Sequence, residues 1–288
     1  MSEMTAISAQ AVAQLREKTG LGLMQCKKAL GETGGNIEAA IEFLRKQGAA
    51  VAAKRSDRET KEGKIVFGKD GSAVAAVEIN CETDFVASSD DFVAFSAKAA
   101  QAIAAGKPAN LEAVQALSID GTTLAEVNTA VIAKIGEKIT VRRFAVETLA
   151  ANEVAETYSH LGGKIGVLIK LAFDGTPSDT ATLGSLAKDL AMQVAASAPL
   201  SIDPSGIPEA TVAKEREIAR ELTEKEGKTG DMLERIVEGK LNKFFKENCL
   251  LQQIFVKDNK TPIDKLLASS PAASNLRVVA FHRLQLGQ

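Results

Sequence analysis

The sequence predicts an α+β fold: an N-terminal three-helix bundle, a duplicated core of small antiparallel sheets covered by helices, and an inserted antiparallel helical hairpin. Three observations carry this reading. Residues 8–48 hold three short helical periodicities separated by glycines. After residue 64 the order strand, helix, later strand occurs twice, so the repeat rests on element order and not on identity. Between 209 and 248 two charged segments with narrow apolar stripes flank Gly227-Lys228-Thr229-Gly230, the pattern of a helical hairpin.

At 288 residues, 45% hydrophobic and 25% charged, the chain is long enough for about two globular domains. A net charge of −2, no Trp and one Tyr supply neither a phosphate-neutralising surface nor a base-stacking platform, so no nucleic-acid partner is expected. No apolar run is long enough to span a bilayer, and no membrane partner is expected. The opening residues 1–5 lack a charged-then-apolar leader pattern, which points to the cytoplasm. Cys26, Cys81 and Cys249 are odd in number and widely spaced, as free buried thiols in a reducing compartment would be.

In the bundle, Ser8 caps a first helix with Val12 and Leu15 inward, broken by Thr19-Gly20-Leu21-Gly22. A second helix holds Leu23, Met24, Cys26, Ala29 and Leu30 and stops at Gly31. Asn36 caps a third, with Ile37, Ala40, Ile41 and Leu44 inward and an end at Gly48. Such a bundle resembles a ubiquitin-associated domain, whose small core suits docking. Lys27-Lys28 reads as a solvated face or as a partner contact. Residues 50–55 can extend the helix as a tether, and 56–63 are a polar linker.

The first core copy starts at Lys64, with Asp70-Gly71 between two strand-like runs as a hairpin signal. A helix over about 90–104 is capped by Ser89 or Asp90 and presents Phe92, Phe95, Ala99 and Ile103. Helices over 111–117 and 124–135 and a strand over 138–147 complete it. The second copy has a strand at 165–172, a helix at 180–196 and a last strand at 276–284. Its inserted hairpin has Val212, Ala219 and Leu222 facing Leu233, Val237, Leu241 and Phe244, and either projects or packs back on the core. Residues 254–256 read as extended, and Thr261-Pro262 as the cap and first turn of a final helix. The expected domains are 1–55, 56–147 and 148–288, with the hairpin at about 208–248.

No catalytic constellation emerges. His160 and His282, the only histidines, have no cysteine near them in sequence, and no nucleophile elbow, phosphate loop or zinc helix motif is present. Glu82, Asp84, Asp90 and Asp91 are a conceivable metal set, but acids at a helix start are explained by capping and the helix dipole. The chain is therefore expected to be no enzyme and to need no cofactor. One stretch stands out: Asn80-Cys81-Glu82-Thr83-Asp84-Phe85-Val86-Ala87 joins a strand to a helix, and Phe85 either fills the core there or works in a functional loop.

Three runs resemble the bacterial elongation factor Ts family: 15–30 (Leu-Arg-Glu-Lys-Thr-Gly-Leu-Gly-Leu-Met-Gln-Cys-Lys-Lys-Ala-Leu), 78–87 around Thr83-Asp84-Phe85, and Ala133-Lys134-Ile135-Gly136-Glu137 leading into Val141-Arg142-Arg143. The resemblance implies a binding partner, the GTPase elongation factor Tu, and a tool for GDP release, Asp84 with Phe85, wedged near the partner's magnesium site. Thr83 and Val86 would share that contact, with Ile135 and His160 supporting it. Arg16, Leu23, Met24 and Lys27 would form the docking face of the bundle, and Val256 would touch a distal domain of the GTPase. The hairpin matches an insertion that in some members makes a homodimer. Leu23 stands where many members have a second Met, a mild change. Many members continue past the position of Gln288 into a helical module that also grips the GTPase, which leaves the affinity open but not the exchange site. The alternative reading is a cytosolic adaptor that binds some other protein through its bundle.

Overall fold

Ser8 starts the first element as expected: its Oγ accepts the Ala11 N–H at 3.1 Å, and α1 (Ala9–Thr19) ends at Gly20, which takes φ 67°. The computed structural model describes residues 7–288, so the leader reading of residues 1–5 falls outside the described residues. The second helix, α2 (Leu23–Glu32), runs one residue beyond Gly31 before the turn at 33–35 closes it. Asn36 Oδ1 accepts the Ala39 N–H and opens α3 (Ile37–Lys54). Gly48 is not the expected stop. The helix passes straight through it, and the missing side chain instead lets α3 approach the helix α7 (Leu124–Ile135). A Cβ at Gly48 would sit 3.1 Å from that of Ala133. Leu15, Cys26, Ala29, Leu30 and Ala40 form the fully buried centre of the bundle.

The chain divides into two units, one of Met1–Val146 with Gly162–Lys164 and Gln285–Gln288, the other of Glu147–Leu161 with Ile165–Leu284. In the first, β1 (Glu62–Asp70) and β2 (Ala73–Cys81) form an antiparallel hairpin, and β5 (Thr140–Thr148) flanks β2 on its other side, giving the order β1-β2-β5. Asp70 pairs with Ala73, so Gly71, at φ 52°, and Ser72 make the turn. Every residue of β2 is buried. One face carries Ala75, Val77, Ile79 and Cys81 against α5 (Asp90–Gly106), whose Phe92, Phe95, Ala99 and Ile103 point inward. The other face carries Glu78 and Asn80. Glu78 is held by the Arg143 guanidinium at 2.7 Å and by the Gly287 N–H at 3.3 Å, as a buried charge requires. A single helical turn, α4 (Asp84–Ala87), joins β2 to α5. After α6 (Leu111–Gln115) comes a two-rung hairpin that sequence did not foretell, β3 (Ser118–Ile119) with β4 (Thr122–Thr123). Thr123 and Glu126 then form a capping box at the start of α7.

The second unit repeats this plan. Its strands β6 (Glu153–His160), β7 (Ile165–Asp174) and β8 (Ser274–Gln285) lie in the order β6-β7-β8, with α8 (Thr180–Ser197) following the hairpin as α5 does. Strand β6 was not expected, yet it is what completes the copy. The inserted helices are α9 (Glu209–Lys225) and α10 (Gly230–Asn248), with a seam of their own made by Val212, Ala219, Leu233, Val237, Leu241 and Phe245. Two seam assignments are corrected. Leu222 is half exposed because Thr223 takes the inward place, and Phe245 fills the slot expected for Phe244. At the last helix, α11 (Ile263–Ala268), Thr261 does not cap. Pro262 holds the cap position, and the Thr261 N–H donates to Asp258 instead. Ile254 bridges to Pro262, but Val256 already begins a turn. Among the described residues no helix is long and apolar enough to cross a membrane.

Candidate functional site

Where sequence suggested a loop between β2 and α5, the structure has a capped helical turn. Thr83 has extended backbone, and its Oγ1 accepts the Val86 N–H at 3.3 Å, the N-cap bond of α4. The turn sorts its side chains by direction. Ala87 is buried and Val86 packs on the core, whereas Asp84 is exposed and Phe85 is 85% exposed. Large apolar rings usually go inside, and burying one is worth about 1.5–3 kcal/mol. An aromatic ring held out on a fixed turn is therefore informative.

The turn is fixed by its neighbours. One oxygen of the Glu137 carboxylate accepts the backbone N–H groups of Glu82 and Thr83 at 3.1 and 3.0 Å, and the other accepts the Thr83 hydroxyl at 2.7 Å. In return, the Glu82 carboxylate accepts the Lys138 N–H at 2.7 Å and the Arg55 guanidinium at 2.9 Å. Burial pushes the Glu82 carboxyl up, but these two donors outweigh it and hold it below its ordinary 4.5. The Cys81 thiol, buried beneath the turn, donates to the Thr83 carbonyl at 3.1 Å. Burial first and the Glu137 charge second push that thiol up to about 12. The Lys138 ammonium also donates to the carbonyls of Ser56 and Arg58, so the polar linker is tied to the same place. Of the acids once considered as metal ligands, Glu82 is occupied in this way and Asp91 pairs with Lys134 at 2.6 Å. Among the described residues no three His, Cys, Asp or Glu gather to hold a metal.

The other candidate positions are distributed over both units. Ile135 is the last residue of α7, packed against the first unit's core and directly before the Gly136-Glu137-Lys138 clamp. Arg16, Leu23 and Lys27 line one open concavity of about 600 Å³ on the bundle, also bordered by Ile7 and Val12. Leu23 and Met24 are 53% and 72% exposed and stand outside the buried centre of the bundle. In the second unit, His160 ends β6 and is exposed. Its ring stacks on Tyr158, whose hydroxyl lies 3.2 Å from Nδ1. Val256 is partly exposed, and its N–H donates to Gln193 Oε1 at 2.8 Å.

Residues 82–288 match the family model described as Elongation factor TS. The chain is 41% identical to an "Elongation factor Ts" from Chloroherpeton thalassium, over 99% of this chain and 100% of that one. It is 42% identical to those of Clostridium kluyveri and of a Nitratiruptor species, over 98% of this chain and 93% and 94% of theirs. The chain belongs to the elongation factor Ts family. Its role is therefore in protein biosynthesis, in the elongation step of translation.

Within this chain, sequence locates the ring-bearing turn but not what holds it. Glu137 was part of a quoted motif and received no role, and Glu82 was weighed only as a metal ligand. Local sequence carries no signal of this clamp, because folding alone brings Glu82 and Glu137 to their backbone donors, 54 or more residues away in the chain.

Proposed function

We propose that this chain binds elongation factor Tu in its GDP form and promotes nucleotide exchange by seating Phe85, with Asp84 beside it, near the magnesium and phosphate site of the GTPase. Binding performs the work, and no covalent chemistry is required of this chain. The observation that supports the reading is the 85% exposed Phe85 ring on a turn held by five hydrogen bonds within the 81–86 and 137 segments. A ring already fixed in place loses little conformational freedom on insertion, so more of its burial energy is available to distort the partner. Coupling is reciprocal: a factor that weakens GDP binding is itself held less tightly while GDP is present. Thr83 and Val86 share the contact, Ile135 and His160 support it, Arg16, Leu23, Met24 and Lys27 dock the bundle, and Val256 contacts a distal part of the GTPase.

The test is GDP release from purified elongation factor Tu. A sub-stoichiometric amount of this protein should accelerate release. Phe85→Ala should melt like the parent, because the ring touches no core, while its exchange rate drops by about 30-fold or more, as for an anchor residue. Parent-like exchange by that variant removes the ring from the mechanism, and an inert parent removes the function.

A further inference from the structure

We propose that Glu137 is a positioning residue for exchange: its carboxylate holds the Thr83–Phe85 turn at the angle from which the ring enters the GTPase, with Glu82 making the return half of the clamp. The inference rests on the exchange reading above and deepens it. The geometry is reciprocal. Glu137 collects the backbone N–H groups of Glu82 and of the cap residue Thr83, and the capping hydroxyl itself. Glu82, the first residue after β2, in turn accepts the N–H of Lys138, next in sequence to Glu137. Two segments 54 residues apart in sequence are thus stitched by one carboxylate in each direction.

A capped turn does not require this. The Thr83 hydroxyl already satisfies the Val86 N–H, and the α4 carbonyls of Asp84 and Phe85 accept the Ser88 N–H. What Glu137 adds is a fixed direction for the turn relative to α7, whose end at Ile135 and Gly136 leads directly into it. Charge-assisted bonds of this kind are the stiffer ones. Glu82 further ties the turn to Arg55, the C-cap of α3, so the last residue of the bundle's helical tether is bonded to the segment that carries the ring. Neither glutamate need touch the GTPase for this action. A misdirected ring would still allow docking through the bundle while failing to insert.

This predicts a split between binding and exchange. GDP release from elongation factor Tu is measured across a range of factor concentrations for the parent, Glu137→Ala, Phe85→Ala and the double variant, with thermal melting of each. Glu137→Ala should lower the maximal release rate by about tenfold or more while the half-saturating concentration stays within about twofold. In the Phe85→Ala background the same change should have almost no further effect, because its action passes through the ring. Glu137→Gln, which keeps an acceptor for the two backbone N–H groups, should recover most of the rate. A parent-like maximal rate for Glu137→Ala overturns the proposal, as does a loss that persists in full without Phe85 or one confined to half-saturation. If alanine at 137 unfolds the chain at the assay temperature, Glu82→Ala, which removes the acceptor for the Lys138 N–H, is read in the same way: a lowered maximal rate that vanishes in the Phe85→Ala background supports the clamp, and a parent-like rate overturns it. Phe85→Ala exchanging like the parent would instead defeat the underlying exchange reading, so the two failures are distinguishable.

Discussion

Phe85 and Phe92 stand seven positions apart and have opposite fates. Phe92 is fully buried against β2, and Phe85 is 85% exposed. Phe92→Ala should therefore destabilise the chain by about 3–5 kcal/mol in urea unfolding, where Phe85→Ala changes almost nothing. Composition and periodicity placed Phe92 on the inner stripe of a helix, but left Phe85 open between core and surface. The difference arises from a cap: Thr83 sets the phase of α4, and the start of the turn decides which side chains face out. The same carboxylate clamp has a pH signature. Glu82 has a folded-state value below its ordinary 4.5, so its stabilisation is fully present above that value and is lost as pH falls through the lower one. The unfolding midpoints of the parent and Glu82→Gln should differ at neutral pH and converge as pH drops below 4.5. Cys81, Cys26 and Cys249 are all buried, and Cys81 stays a neutral thiol at pH 7. None should react with a thiol reagent until denaturant is added, and rapid labelling of the native chain would contradict these placements.

At the scale of elements, long periodic helices were legible, while short or weakly patterned pieces were not. The stripe of α5 and the caps Ser8, Asn36 and Ser89 fell where sequence put them. Strand β6 did not, because only Ala155 among its eight residues is buried, which leaves no alternation to detect. Strands β3 and β4, at two residues each, are too short to show any period. Gly48 misled for a different reason: a glycine that ends a helix and one that admits a neighbouring helix look alike in sequence, and only the second partner, α7, tells them apart. The same logic makes Gly68 a sensitive position. A Cβ there would lie 2.0 Å from the carbonyl oxygen of Ala100 in α5, a backbone atom with no freedom to move aside. Gly68→Ala should cost about 3 kcal/mol or more in urea unfolding, far beyond a surface strand change, and a neutral result would show that α5 does not press on β1.

At the scale of the whole molecule, two units share one strand order, and the second bears a helical insertion. The order of elements made the duplication readable without β6, since strand, helix and strand recur at matching places. Whether the hairpin stands on its own was not readable, because a narrow stripe serves equally for a partner helix or a core. Its seam turns out to be separate from the cluster of the second unit. Excising 212–244 and closing the gap with a short glycine-serine turn should leave the unfolding free energy of the remainder within about 1 kcal/mol of the parent. A large fall would mean that the insertion supports the core.

Strand β2 has a consequence for how the chain bears load. It is the middle strand of its sheet, and all nine of its residues are shielded from water. Its amide hydrogens should be among the slowest in the chain to exchange with deuterium, since opening them requires the sheet to come apart. Cys81 ends that strand, and the ring-bearing turn begins two residues later. The turn is thus anchored to a fully buried strand, so under the proposed exchange reading a load on the ring would pass into rigid backbone and the yielding would fall to the partner.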